Sequence, residues 1–364
     1  MSQGDSIPLL IDPTTAPRYR LIQLQPALLE LLESGQEADH LRLKSAGPNA
    51  PAFLCGYSRT FQLKQISQSN TLLLLSGDHE SSSLSDTVPD EVTPDPLYAT
   101  KLPGGYLESI PLSPQIDFSF VPYYEGADIK VAAAGSLSRS DVSARVPVSD
   151  YEFETAWIMA MGAEIDGCAY RLSDDLVVRV LPILVAAIQA EGLDYGKLWV
   201  NEVFDAVRTD EDEPVAVVEA ILRRFSNNRN EPYSLDTTKL TQWLGIKMLS
   251  EHAFREVDMD EIMEKWEQSL PPVLDLTCDL SLLTGQYVQP TAKTIRYLPC
   301  ATLPRDPGRR FEQLFAVKSS WLHEDILPFL NDIETDKVKS NTLIMKFAKK
   351  KVVKGKTYIG KRGV

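Results

Sequence analysis

KVKSNTLIMKFAKKKVVKGKTYIGKRGV, residues 337 to 364, holds ten Lys or Arg and no Asp or Glu. The whole chain has 364 residues with 37 basic and 51 acidic side chains, so the rest of it sets 27 basic groups against all 51 acidic ones, a formal charge of −24. One end is built to meet an anion. It is also patterned. From about Lys337 to Ala348, Leu343, Ile344 and Phe347 recur at helical spacing. At about 100° per residue, Lys339, Lys346 and Lys350 then fall within a sector of roughly 40° beside that apolar side. Val352-Val353, a bend at Lys354-Gly355-Lys356 and Thr357-Tyr358-Ile359 read as a short β-hairpin.

Upstream, Phe311, Leu314 and Phe315 lie at i, i+3, i+4, and Trp321, Leu322, Ile326 and Phe329 repeat that spacing. Ser320 is placed to cap this second helix, with Glu324 and Asp325 near its positive end. Three short helices followed by a basic hairpin describe a winged helix, whose third helix and wing touch nucleic acid. The expected DNA contacts are Lys337, Lys339, Lys346, Lys349, Lys350, Lys351, Lys354, Lys356, Lys361 and Arg362, with Tyr358 as a stacking residue on the wing. A disordered basic tail or nuclear-import signal is the other reading, but it has no need of Leu343, Phe347 or Ile359.

The length suggests two or three domains, and 43% hydrophobic with 24% charged residues is the composition of a globular chain with real cores. The start, MSQGDSIPLL, has no basic n-region of a secretory signal. The longest apolar run, Leu176 to Ile188, contains Arg179 and Pro182 and falls short of the roughly 20 residues needed to span a bilayer. A soluble protein with no membrane association is expected. Cys55, Cys168, Cys278 and Cys300 are far apart and have no neighbouring histidines, so they read as reduced thiols and not as a metal set. His40, His79, His252 and His323 are equally scattered. Gly355-Lys356-Thr357 looks like the end of a phosphate-binding P-loop, but Lys350 stands where that loop needs its first Gly. With no nucleophile beside a base, the chain is expected to be non-enzymatic, with no metal and no cofactor.

In chain order, residues 19 to 24 read as a strand and Pro26 to Gly35 as a helix. Ala52 to Cys55, Thr60 to Gln68 and Thr71 to Leu75 read as strands, the last two joined by a turn at Ser69-Asn70. Residues 78 to 96, acidic and rich in Ser and Pro, form a loop, and Tyr106 to Leu112 returns to extended structure. So many strands with so little helix leave sheet edges that need covering, and partner strands could cover them. The residues expected to dock the partner are Phe61, Leu63, Ile66, Leu72, Leu73 and Leu74.

From Val148 the period becomes 3.6. Ser149 to Glu152 fits a capping box, Asp166-Gly167 a hairpin turn, and Ser173 the cap of a long helix ending at Gly192. Further helices are expected from Pro214, over Thr238 to Glu251, from Asp258 to Pro271, and over Leu276 to Leu283. A hairpin then joins Tyr287-Val288 to Thr294–Leu298 around Pro290. The five tryptophans lie at helical spacing, as core residues do. The architecture expected is α+β, a β-barrel-like N-terminal domain completed by partner strands and followed by tandem winged-helix domains. The domains would be 1–130, 148–251, 252–300 and 305–364. The acidity of the middle units points them to protein and away from DNA.

The run AFLCGYSRTFQLKQISQSNTLLLL, Ala52 to Leu75, resembles the signature of the defective-in-sister-chromatid-cohesion protein 1 family in Leu54-Cys55, Thr60-Phe61, Ser69-Asn70 and Leu72 to Leu74. Glu164 to Gly167 resembles its Glu-Ile-Asp-Gly segment. Pro307, Arg310-Phe311, Leu314-Phe315, Lys318 and Trp321 are similar to its C-terminal pattern. The resemblance covers nearly the whole chain except 113 to 147. It implies a nuclear, non-ATPase subunit of the alternative replication-factor-C-like clamp loader that acts on the sliding clamp PCNA in DNA replication and sister chromatid cohesion. In that family the β domain forms a joint barrel with the small accessory subunit and the C-terminus of the large loader subunit. The assembly contacts DNA polymerase epsilon, and the winged helices bind single- and double-stranded DNA. The alternative is an independent winged-helix transcription or chromatin regulator, which would discriminate between duplex sequences by at least about 4 kcal/mol.

Overall fold

In the first part of the chain an eight-residue helix covers one face of an open sheet, because Leu28 and Leu31 on the helix meet Leu54 and Phe61 on the strands in one buried cluster. The computed structural model describes residues 9–11, 20–34, 41–70, 73–76, 97–101, 105–112, 116–126, 137–207, 213–253, 255–334 and 338–362. Two units divide it, one of the described residues up to Pro122 together with 137–170, the other of 123–126 and the described residues from Arg171 onward. Among the described residues the structure is mixed α+β with eleven α-helices and five sheets, none of them a closed barrel.

The first unit begins with β1 (Leu9–Ile11), β2 (Ile22–Gln23), α1 (Pro26–Glu33), β3 (Arg42–Ser45), β4 (Ala52–Cys55), β5 (Thr60–Ile66), β6 (Leu73–Ser76), β7 (Leu97–Lys101) and β8 (Tyr106–Leu112). Five of the strands form a sheet in the order β2-β8-β5-β4-β3, and the other three form a second sheet, β1-β7-β6. The hairpin expected at Ser69-Asn70 does not form. β5 instead runs antiparallel to β8 from Thr60↔Leu112 to Ile66↔Tyr106. Seven residues of ladder satisfy more backbone groups than the shorter β6 could offer. β6 pairs with β7. The loop expected over 78–96 lies outside the described residues.

After β9 (Tyr123–Tyr124), which belongs to the second unit, the first unit resumes with α2 (Arg139–Arg145), α3 (Asp150–Met159) and β10 (Gly162–Ile165). The expected capping box is present, and it does more than close a helix end. The Glu152 carboxylate accepts from the Ser149 hydroxyl at 2.7 Å and from the hydroxyl of Thr60 on β5, while the Ser149 N–H donates to Thr60 Oγ1 at 2.8 Å. Lys44 on β3 adds bonds to the Val148 carbonyl at 2.7 Å and the Asp150 carboxylate at 3.0 Å. Thr60 is buried. Thr60→Val therefore removes one hydrogen bond each from the buried Ser149 N–H and the half-buried Glu152 carboxylate and is expected to cost about 1–3 kcal/mol, and Ser149→Ala about 1 kcal/mol. Urea midpoints check both, and Thr60→Ser should stay near the native value.

Behind this node Phe118, Phe153 and Trp157 pack with ring centroids 5.5 to 6.0 Å apart. The chain crosses between units inside β11 (Cys168–Leu172), whose Arg171 and Leu172 run parallel to Tyr123 and Tyr124. The turn before it, Asp166-Gly167, has the positive φ angles of 51° and 75° expected of a tight hairpin bend.

In the second unit one connection recurs three times. The first set is α4 (Asp174–Ala190), α5 (Val200–Val207) and α6 (Val215–Arg224), with Leu198 bridged to Tyr233 and Ser226 bridged to Leu235. Ser173 caps α4 as expected. The second set is α7 (Thr237–Glu251), β12 (Glu256–Asp258), α8 (Met259–Ser269), β13 (Tyr287–Val288) and β14 (Thr294–Tyr297), with strand order β12-β14-β13. The buried Trp266 of α8 donates its indole N–H to the Thr241 carbonyl of α7 at 2.8 Å. The helix expected over Leu276–Leu283 is only a 3-10 turn at Leu280–Leu283, begun by the Asp279 side chain.

The third set is α9 (Pro307–Val317), β15 (Ser320–Leu322), α10 (His323–Ile326), α11 (Ser340–Phe347), β16 (Ala348–Val353) and β17 (Lys356–Lys361), with strand order β15-β17-β16. Ser320 is not a helix cap here. It opens β15, because Trp321 opposite Ile359 fills the core from a strand, and α10 follows Leu322 without a side-chain cap. Trp157, Trp266 and Trp321 are fully buried, whereas Trp199 is exposed.

Candidate nucleic-acid interface

Two tethers position α11 and the hairpin. At the N-terminus of α11 the Ser340 N–H donates to the Glu334 carboxylate at 2.6 Å. At its C-terminus the guanidinium of Arg362, beyond the last strand, donates to the Lys346 carbonyl at 2.8 Å, a cation on the negative end of a helix. The bend between the strands is Lys354 and Gly355, with φ of 50° and 77°, and Gly supplies the conformation that a two-residue hairpin loop requires. The hairpin is longer than its sequence suggests, paired from Ala348↔Lys361 to Val353↔Lys356.

Strand parity sorts the cations. Directly opposed residues share a face, so Lys350, opposite the buried Ile359, lies on the helix side with Ala348 and Lys361. Its ammonium donates to Asn341 on α11 at 3.3 Å, and the same amide oxygen is 3.0 Å from His323. Lys349, opposite Gly360, and Lys351, opposite Tyr358, lie on the outer face with Lys356. The expected single helical row is therefore corrected. Lys346 is on α11, Lys339 is its N-cap residue, and Lys350 reaches the same side from a strand. All nine described cations from Lys339 to Arg362 are exposed, and Lys339 alone is drawn into an ion pair among the described residues, with Glu334 at 3.8 Å. Lys337 lies outside the described residues.

A second, buried cation holds the base of this assembly. The Arg310 guanidinium donates to the carbonyls of Pro304 at 2.7 Å, Phe329 at 2.8 Å and Leu303 at 3.2 Å, and forms a bidentate pair with Asp332. Burial pushes the Asp332 carboxyl up, but the hydrogen bonds from Arg310 and Cys300 and the Arg310 charge outweigh it and leave the net value lowered. Burial raises the Cys300 thiol to about 11, with Asp332 adding to the rise. Sequence reasoning missed Asn341, His323 and this pair; none of them carries a spacing signal that singles it out.

On the N-terminal unit the expected docking residues separate. Phe61 is wholly buried in the protein's own core and so drops out, Leu63 and Ile66 are half-buried, and Leu72 lies outside the described residues. Leu73 and Leu74 are 42% and 38% exposed on β6, which among the described residues is hydrogen-bonded on one side only. Among the described residues no three His, Cys, Asp or Glu side chains converge on a metal position, and no helix is long and apolar enough to cross a membrane. The four cysteines are free thiols.

Comparison with known proteins agrees over almost the full length. The Sister chromatid cohesion protein DCC1 of Saccharomyces cerevisiae is 29% identical, covering 98% of this chain and all of the yeast protein. The proteins of the same name from Danio rerio and Homo sapiens are 26% and 24% identical, covering 97% and 95% of this chain and 92% and 89% of their own lengths. Residues 19–330 match the family described as Sister chromatid cohesion protein Dcc1, and the chain belongs to that family.

Proposed function

We propose that the protein is a nuclear, non-catalytic subunit of the alternative clamp loader that acts on PCNA in DNA replication and sister chromatid cohesion, docking its partners at one end and DNA at the other. The observation that carries the DNA part is the α11–β16–β17 surface, where the described residues 338–362 present nine exposed cations and no carboxylate. Each of the three repeated sets has its first strand or bridge joined to the last strand of its hairpin, the connectivity of a winged helix. The third set is the DNA-binding one; the first two, in the acidic part of the chain, contact protein, DNA polymerase epsilon among it. The small and large accessory subunits add strands beside β6, completing a joint barrel.

The test is duplex binding by the full chain across a salt series. If about four to six lysines neutralise phosphates, log K falls with log salt at a slope near −4 to −5. Little base preference is expected, because lysines make point contacts to phosphate and not to base edges. A flat salt response rejects the DNA assignment. Leu73→Glu with Leu74→Glu should abolish co-purification with the accessory subunits while leaving the salt slope intact, and retention of the subunits by that variant rejects the docking assignment.

A further inference from the structure

The second and third sets share one core, in which Val288 of β13 and Leu298 are buried with Phe311, Trp321 and Phe329. Beside that contact the surface stays open. A cleft of about 500 Å³ has Tyr287, Val288 and Gln289 on one wall and Lys318, Glu324 and Asp325 on the other. That volume is in the range of sites that take a ligand. Alternate side chains of a strand leave on opposite faces, so three consecutive residues line one cleft along the edge of their strand. β13 is an outer strand in the order β12-β14-β13, paired on one side only among the described residues. The Leu298 N–H donates to the Gln286 carbonyl at 2.8 Å. In the antiparallel register this makes Gln286 and Leu298 a hydrogen-bonded pair and the next pair, Tyr287 and Tyr297, a non-bonded one. The N–H and C=O of Tyr287 therefore point away from β14, toward the cleft.

The opposite wall is charged. Lys318 reaches Asp325 at 3.9 Å, and Glu324 has no ion pair among the described residues, so two carboxylates share one ammonium. Burial raises the Asp325 carboxyl, and the charges of Lys318 and Lys356 do not offset it. An incoming cation would supply what this wall lacks. We propose that the cleft takes an extended basic segment of a partner polypeptide, which adds as a strand to β13 through Tyr287 and sets an arginine or lysine side chain against Glu324 and Asp325. Backbone pairing supplies the affinity and the carboxylates supply the preference for a basic side chain. The site gives a chemistry to the protein contact assigned above to the second set, and rests on that reading only in taking its occupant to be protein.

The experiment is fluorescence anisotropy of the full chain with three labelled peptides. The first alternates valine and arginine over five residues, the second has glutamate in place of arginine, and the third is the first with its backbone N-methylated at alternate residues. The arginine peptide is expected to bind at least about tenfold more tightly than either of the others. Thr284→Trp, at an exposed position on the cleft wall, fills the cleft and should weaken that binding at least about tenfold, as should Glu324→Gln with Asp325→Asn. Glu264→Gln, an exposed carboxylate of α8 outside the cleft lining, should change it by less than about twofold. The proposal is overturned if the native chain does not bind the arginine peptide. It is equally overturned if the N-methylated peptide, Thr284→Trp or the double variant binds as the native pair does, because the attraction is then a diffuse one between an acidic chain and a cation. Either failure leaves the salt slope and the co-purification of the accessory subunits untouched, since those are read on other probes.

Discussion

Arg310→Ala should cost the protein about 3–5 kcal/mol, because it removes the one buried donor group that four backbone carbonyls and a carboxylate share. Arg310 is 1% exposed, and its guanidinium spans Pro304, Leu303, Phe329 and Asp332, tying the entry to α9 to the turn after α10. Arg310→Lys should be nearly as damaging, since one ammonium cannot reproduce a planar fork. Asp332→Ala should cost less, about 1–3 kcal/mol, because that carboxylate is 43% exposed and the carbonyls still hold the guanidinium. Urea unfolding measures all three. A loss below about 1 kcal/mol in Arg310→Ala would show that water replaces the guanidinium. The pair also sets an acid limit. The folded carboxyl of Asp332 titrates below its ordinary value of 3.8. Its contribution is complete above that value and is lost as pH falls through the lowered one.

The second large effect concerns Trp157 and Gly162 in the first unit. A Cβ on Gly162 would lie 2.0 to 2.5 Å from the Trp157 indole, which is 1% exposed and stacks on Phe153. Gly162→Ala should therefore destabilise at or beyond the usual overpacking range of about 1–3 kcal/mol. Trp157→Ala should cost about 3–5 kcal/mol through the cavity it leaves. The two changes should not add. With the indole gone, Gly162→Ala meets no clash, and the double variant should be no less stable than Trp157→Ala alone. Thermal or urea unfolding of the four-member cycle decides it; additive losses would mean that the indole has moved away from Gly162.

The parts of this architecture that could be read from the chain are those fixed by neighbours in sequence. Ser149 and Glu152 are three residues apart and satisfy each other, Asp166-Gly167 bends within two residues, and Gly355 lies between two stretches whose pairing follows from the bend. What could not be read depends on distant partners. β1 pairs with β7 across some 90 residues, and no local signal says that β5 will prefer β8 to β6. Trp321 shows the limit most clearly. It adjoins Leu322, Ile326 and Phe329, whose spacing is helical, yet the core needs it opposite Ile359, which only β17 can supply. The candidate site divides in the same way: the identity of the lysines was plain, but their allocation to two faces depends on the register with β17.

That register has a consequence for how the protein is made. In the sheet β15-β17-β16 the middle strand is the last of the three in chain order. As the polypeptide leaves the ribosome, β15 and β16 emerge with nothing to join them, and Trp321 has no opposite wall until Ile359 appears. The five-stranded sheet of the first unit, whose central β5 precedes one of its partners and follows another, can begin to assemble much earlier. The end of the chain that holds this sheet should therefore fold late, and until then its two waiting strands are edges that a chaperone would have reason to guard.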